Sequence, residues 1–358
     1  MRIAEIETRR LAVALKKPFK TALRTVHIAE SVVVRIRCNN GLEGIGEAPP
    51  TMAITGESLE SIEAFIQIIK PVLIGQNPLE YERVFPLLQQ AAVGNNSAKA
   101  AVDMALYDLI GRYCKLPLYQ LLGGYRKEIQ TDYTVSVNSP EEMGEDAVDY
   151  VNSGFTVLKI KVGLDDIHKD LERVQEIRNR IGYTIKLRLD ANQGWEAKSA
   201  IRAIRTMEDR GLDIELVEQP VKAHDLTGLK KVTDAVDTLI MADESVFSPL
   251  DAFEVLKHRA ADLINIKLMK AGGIYRAETI NRMAETCGVA CMVGSMIESR
   301  IGISAAVHFA ASKKNITRFD FDTPLMMVRD AVQGGVMYDG KTIKLPDTPG
   351  IGIVDIDW

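Results

Sequence analysis

The chain has 358 residues, 46% hydrophobic and 26% charged, with a formal net charge of −5. This is the composition of an ordinary globular protein, and its mild acidity gives nucleic acid or an anionic membrane no electrostatic reason to bind. No apolar run can span a bilayer, no secretory cleavage pattern opens the chain, and the four cysteines are too scattered for a disulfide framework, so a reducing cytoplasm is expected.

Residues 1–50 read as strands and a turn. SVVVRIRCNNGLEGIGEA is a hairpin pattern, a β-branched run followed by Asn-Asn-Gly and a second strand. Residues 57–122 read as helices with apolar positions at helical spacing. Ser97 reads as the N-cap of one long helix and Gly123-Gly124 as its stop. The first third is therefore α+β.

From about Thr131 the texture changes to short apolar strands alternating with amphipathic helices. Strand ends fall near Val135, Lys161, Asp190, Glu218, Asp243, Lys267, Ser295 and Phe321. The intervals, roughly 24–31 residues, are those of a βα repeat. Eight such strands predict a closed parallel barrel. An open doubly wound sheet is the alternative, but it usually carries a glycine fingerprint after its first strand, and none is present. Residues 325–358 return to turn-rich, strand-like sequence that is expected to pack back on the first third.

In a parallel barrel the site lies at the C-terminal ends of the strands. Asp190 closes KLRLD, Glu218 closes IELVE and Asp243 closes LIMAD. Any one of these acids is equally well a helix N-cap or a rim residue. Three in succession at matching positions converge on one point, as a hard divalent cation such as Mg²⁺ requires. Lys159 and Lys161 alternate by two and share a face. Lys267 ends the sixth strand, across the barrel from them. Bases on opposite sides of one carbon suit a racemase or epimerase, provided that neighbouring positive charge (Lys159 and the metal, for Lys161) draws a lysine pKa toward neutrality. Lys270 reads as a structural or solvated lysine. Asn192, Gln193, Glu244 and Glu298 read as supporting groups, Ile54-Thr55-Gly56 as a cap loop, and Cys287 and Cys291 as buried thiols.

The set KIK, LRLDANQGW, VEQP, MADES and NIKLMKAGG resembles the enolase superfamily, specifically its muconate-lactonising subgroup, over essentially the whole chain. The resemblance implies an α/β barrel, (β/α)7β, over residues 125–324. An α+β capping domain would span 1–124 and be completed by a C-terminal segment, 325–358. It implies Mg²⁺ on Asp190, Glu218 and Asp243, with Lys161 and Lys267 as the acid/base pair. Lys159 would sit against the substrate carboxylate. The shared chemistry is abstraction of a proton alpha to a carboxylate through a Mg²⁺-stabilised enediolate.

Within the subgroup, RFDFDTP resembles the feature with which dipeptide epimerases hold a free α-ammonium, here Asp320 and Asp322. The run KKPFKTALRTV resembles the flexible cap loop of L-Ala-D/L-Glu epimerases, in which Arg24 would pair with a Glu side chain. The resemblance thus implies epimerisation of small dipeptides, recycling of murein peptides and a homo-oligomer. The alternatives are an N-succinylamino acid racemase or related lyase, a lysine Schiff-base aldolase, and a silent binding barrel. Asp320 and Asp322 would repel the succinyl group of the first. The second has no use for three extra acids, and the intact set of polar strand ends argues against the third.

Overall fold

The computed structural model describes residues 1–358. It begins with an antiparallel sheet, β1 (Ile3–Lys20), β2 (Thr25–Cys38) and β3 (Glu43–Ala48), in that spatial order. Helices over Leu59–Leu73 and Asn96–Cys114 pack on it, and the Tyr81–Gln90 helix packs on those two. Gly44 and Gly46 of β3 lie directly against the Asn96–Cys114 helix. A Cβ on either would stand about 2 Å from that helix's carbonyl oxygens, so only glycine lets the layers approach this closely.

After a short strand, β4 (Glu128–Gln130), come β5 (Tyr133–Val135), β6 (Val157–Lys161), β7 (Lys186–Asp190), β8 (Ile214–Glu218), β9 (Leu239–Ala242), β10 (Leu263–Lys267), β11 (Ala290–Gly294) and β12 (Ile316–Asp320). These eight are parallel and paired in sequence order, with helices between them, as in a (β/α)7β barrel. The seam between β12 and β5 is closed by single bonds: the Asp132 N–H donates to the Phe319 carbonyl at 3.3 Å and the Phe321 N–H to Thr131 Oγ1 at 2.8 Å. Leu216, Met241, Leu263 and Met292 plug the lower lumen. Polar side chains two residues further along the strands therefore stand at the upper mouth. No helix is long and apolar enough to cross a membrane.

The chain ends in β13 (Val332–Gly334), β14 (Met337–Asp339), β15 (Thr342–Lys344) and β16 (Ile353–Ile356). β15 pairs with β4, and the Val328 N–H donates to the Ala14 carbonyl at 3.0 Å. Arg112 of the cap reaches the Ile353 carbonyl at 2.7 Å.

Buried cap carboxylates plug the N-termini of barrel helices, where free N–H groups and the helix dipole favour negative charge. Asp103 accepts from the Ile274 N–H at 2.6 Å at the start of the Ile274–Thr286 helix. Glu47 of β3 accepts from the Ser299 N–H at 3.0 Å and the Gly302 N–H at 2.7 Å at the start of the Arg300–Ser312 helix. The cap is thereby fixed over the mouth at two points.

Four sequence expectations are corrected. Ser97 is not an N-cap: the helix begins at Asn96 after a left-handed Asn95, and Glu57 takes the Ser97 and Ala98 N–H groups at 2.9 and 3.0 Å. That helix stops at Lys115, because Pro117 cannot continue it, and Leu118–Leu122 is a separate turn before Gly123. The 16–26 segment is mostly the end of the β1–β2 hairpin, with only residues 21–24 turning, held by Leu23 and Arg24 N–H bonds to Thr21 Oγ1 at 3.1 and 3.3 Å. Cys287 caps the end of the Ile274–Thr286 helix and is exposed, whereas Cys291 on β11 is buried.

Candidate active site

The register of the barrel brings the candidate residues together. Lys161 is level with Asp190, and Asp190 with Glu218. Asp243 lies one residue past β9, and Lys267 is the last residue of β10. Lys159, Lys161, Lys267, Asp320, Asp322 and Arg24 all line one cleft of about 570 Å³, including its open mouth. Ile54 lines the same cleft, and Asp190, Glu218 and Asp243 are buried beneath it.

Lys159 is the hub. Its Nζ lies 3.0 Å from Asp190 Oδ2, 2.8 Å from Glu218 Oε2 and 2.8 Å from Asp320 Oδ2. Burial opposes its charge, but Asp190, Asp320 and Glu218 outweigh that and hold it protonated well above the usual lysine range. Lys161 Nζ donates to Asp190 Oδ2 at 2.6 Å and Asn192 Oδ1 at 3.2 Å. Lys267 Nζ donates to Asp243 Oδ2 at 2.7 Å. Burial pulls the Lys267 pKa down, and Asp243 and Glu218 more than reverse it. The nearest charges around Lys267 are carboxylates, so the fall toward neutrality expected of a catalytic lysine is not met there.

The three acids differ among themselves. Lysines overcome burial at Asp190 (Lys159 and Lys161) and at Asp243 (Lys267 and Lys270), and both carboxyls are held below the usual range. Burial and then Asp190 push Glu218 up to about 7. Burial and then Asp243 push Glu244 up to about 8. So much buried negative charge is stable only with cations beside it.

Asp190, Glu218 and Asp243 have the chemistry a hard divalent cation prefers, but as they stand no three acids are placed to hold one ion, and Lys159, Lys267 and Lys270 meet their charge instead. The donor set is all oxygen, from three carboxylates on successive strands. Lys159 Nζ stands 2.8 Å from Glu218 Oε2 and Lys270 Nζ 2.6 Å from Asp243 Oδ1, while Glu244 Oε2 is buried without a partner. A divalent cation would supply there the positive charge that the lysines supply here.

Positioning groups absent from the sequence reading complete the site. Asn265, two residues before Lys267 on the same face of β10, donates to Glu218 Oε1 at 2.7 Å. The alternation that paired Lys159 with Lys161 would have found it. Gln219, in the left-handed region at φ 38°, accepts from the Asp243 and Ser245 N–H groups at 2.9 and 3.1 Å and so staples the loops after β8 and β9. Nothing in the sequence signals that bond. Lys270 is buried rather than solvated. Its Nζ bonds the Asp243, Val246 and Asn265 carbonyls and stands 2.6 Å from Asp243 Oδ1. Asn192 bridges Lys161 and Glu244, while Gln193 accepts from the Ala223 N–H at 3.0 Å.

At the other side of the cleft, Asp322 Oδ2 accepts from the Thr134 N–H at 2.6 Å. Burial and then Asp320 push its carboxyl up to about 7, while Lys159 outweighs burial and holds Asp320 down. Arg24 projects from the hairpin turn without an ion pair, and burial alone lowers its pKa.

An eight-stranded βα barrel under an antiparallel cap, with acids and lysines facing one another at its strand ends, defines the enolase type of enzyme. The chain belongs to that superfamily: the mandelate racemase/muconate lactonizing enzyme N-terminal domain matches residues 4–123 and the enolase C-terminal domain-like family matches residues 142–357. An L-Ala-D/L-Glu epimerase of Bacillus subtilis is 64% identical over 355 residues, 99% of this chain and 97% of that one. A substrate-liganded structure of the L-Ala-D/L-Glu epimerase from Bacillus subtilis matches with a TM-score of 0.99 over 99% of both chains, at 64% identity. A dipeptide epimerase from Enterococcus faecalis V583, complexed with Mg and L-Leu-L-Tyr, matches with a TM-score of 0.96 over 99% of this chain and 100% of that one, at 45% identity.

Proposed function

We propose that this protein is a Mg²⁺-dependent dipeptide epimerase that inverts the C-terminal residue of L-Ala-D/L-Glu. At its identity to named epimerases, the chain is an isomerase of the racemase and epimerase class. The observation that carries the finer reading is the placing of Lys161 and Lys267 on strands β6 and β10, half the barrel apart, with both lining one cleft. One lysine takes the α-proton of the C-terminal residue and the other delivers a proton to the opposite face. Asp190, Glu218 and Asp243 would hold Mg²⁺, which supplies Lewis-acid stabilisation of the substrate carboxylate and takes up anionic charge that keeps the lysines protonated. Lys159 adds a fixed positive charge beside that carboxylate. Asp320 and Asp322 hold the α-ammonium, and their negative charge selects a free N-terminus over an N-acyl group.

Proton NMR of L-Ala-L-Glu with enzyme and Mg²⁺ in D₂O tests this. The Glu α-proton signal disappears and L-Ala-D-Glu accumulates. Exchange only with N-succinylamino acids would replace the reading by a racemase.

Arg24 has a half-buried guanidinium with no counter-ion, which fits a side-chain carboxylate better than an apolar side chain. Arg24→Met is expected to lower kcat/KM for L-Ala-L-Glu by about 10–100-fold, the loss of a charged hydrogen bond. L-Ala-L-Leu should change little. An equal loss on both substrates, in parallel initial-rate assays, would remove Arg24 from specificity.

A further inference from the structure

Two buried carboxyl groups meet where the cap rests on the barrel, outside the acids and lysines described above. Glu47 comes from β3 of the cap, and Glu298 from the loop between β11 and the Arg300–Ser312 helix. Both are buried, with 1% of each residue exposed. Glu47 is supplied with donors: Oε1 accepts from the Ser299 N–H at 3.0 Å, and Oε2 from Ser299 Oγ at 2.8 Å and the Gly302 N–H at 2.7 Å. Glu298 has one bond, from the Met296 N–H to Oε1 at 2.8 Å, while its Oε2 is buried without a partner.

The two groups face each other across Gly302. A Cβ placed on that glycine would stand 2.3 Å from Glu298 Oε2 and 3.1 Å from Glu47 Oε2. An ionised Glu298 would leave a bare, charged oxygen in the interior beside a second carboxylate, which burial penalises heavily. A protonated Glu298 has an O–H at that oxygen to donate; Glu47 Oε2 already takes two donors, so the proton goes to its freer Oε1 or takes the place of the Ser299 hydroxyl at Oε2.

We propose that Glu298 is a carboxylic acid at neutral pH and forms a proton-sharing pair with Glu47, a latch that seats the cap and positions the Ser295–Ile297 wall of the substrate cleft. Ser295, Met296 and Ile297 all line the cleft, and the Met296 N–H is held by Glu298 itself. Glu298 is a positioning residue and need not touch substrate. Burial, then the charge of Glu47, pushes its carboxyl up to about 8, with the Met296 N–H and Lys267 opposing. The titratable groups whose charge acts on or is felt from it are Glu47 on β3, Lys267 on β10 and Tyr338 on β14, whose hydroxyl is committed to the Phe321 carbonyl at 2.6 Å.

The sign follows from linkage. The unfolded glutamate loses its proton near its ordinary value, and the folded one near 8. Between those limits the folded state holds the extra proton, so stability falls as pH rises.

The experiment compares the Mg²⁺-loaded full chain, Glu298→Gln and Glu298→Ala from pH 5 to 9. Glutamine keeps a donor and an acceptor without the titration. The difference in Tm between Glu298→Gln and wild type should therefore widen in favour of the variant from pH 5 to about pH 8, then level off. Glu298→Ala should have a lower Tm throughout and a KM raised several-fold more than its kcat falls, and Glu298→Gln should restore that KM. Wild-type KM should climb above pH 8 and that of Glu298→Gln should not. Infrared spectra at pH 7 should show a protonated-carboxyl band in wild type that Glu298→Gln lacks. A constant Tm difference across pH 5–8, or no such band in the difference spectrum, would overturn the proposal. Neither readout depends on which substrate the site takes.

Discussion

Replacing Lys267 with methionine is expected to lower epimerisation by about 10²–10⁴-fold, the usual contribution of a positioned general acid or base, and the same change at Lys161 should do likewise. The two variants should differ in what they keep. In a two-base site each lysine faces one side of the α-carbon. Lys267→Met keeps Lys161, which can still wash deuterium into one epimer without inverting it, and Lys161→Met should do so only to the other. NMR in D₂O with each pure epimer reads this directly. A variant that exchanges both epimers at the wild-type rate has not lost a base. The geometry argues that such losses are chemical rather than structural. Without Lys267, Asp243 keeps Lys270 at 2.6 Å and its N–H bond to Gln219. Without Lys161, Asp190 keeps Lys159 at 3.0 Å. Methionine fills most of the volume of the lysine stem, so the walls should hold.

The barrel was legible because six of its eight strands, all but β5 and β11, end at or one residue before a charged side chain. The expected ends at Lys161, Asp190, Glu218 and Lys267 coincide with the ends of β6, β7, β8 and β10. Asp243, Ser295 and Phe321 lie one residue beyond β9, β11 and β12, the margin by which element ends fray. The helical region was less legible where long-range contacts override local signals. Ser97 has the chemistry of an N-cap, but the helix already begins at Asn96, and Glu57, forty residues earlier, takes the Ser97 and Ala98 N–H groups. Residues 16–26 read as a loop from their resemblance to a cap loop, and the Lys and Pro among them are depleted in strands. The pairing of Phe19 with Val26 nevertheless extends the hairpin through them.

At the site, residue types and parity gave the acids and lysines but not the bonds between them. That Lys159 joins Asp190, Glu218 and Asp320 depends on barrel closure, which brings β12 within reach of β6. Gln219 could be read only as part of VEQP, since its work depends on a left-handed backbone. Glu298 could be placed near the motifs, but its partner Glu47 lies far away in sequence, on the cap.

Asp322→Asn is expected to raise KM for a dipeptide about 10–100-fold, the range for losing a charged hydrogen bond. It should alter kcat less, because the proposed ammonium site is remote from the α-carbon that reacts. The Asp320–Asp322 pair explains why. Lys159 commits Asp320 to the ionised form, and burial beside that charge pushes Asp322 up to about 7. An arriving ammonium must find Asp322 ionised, so wild-type KM should rise as pH falls through about 7, and Asp322→Asn should lack that inflection. Stability should move the opposite way. The unfolded aspartate ionises near its ordinary value, so between there and about 7 the folded state holds the extra proton and loses stability as pH rises. Asparagine removes that slope and can keep an acceptor for the Thr134 N–H. At pH 8 the variant should therefore bind substrate worse and melt higher, relative to wild type, than at pH 5. Misfolding would lower both binding and Tm, and an unchanged KM would take Asp322 out of the ammonium site. Initial rates and thermal melts across that pH range separate the three results. The costly buried acid is then explained by the cation it is built to receive.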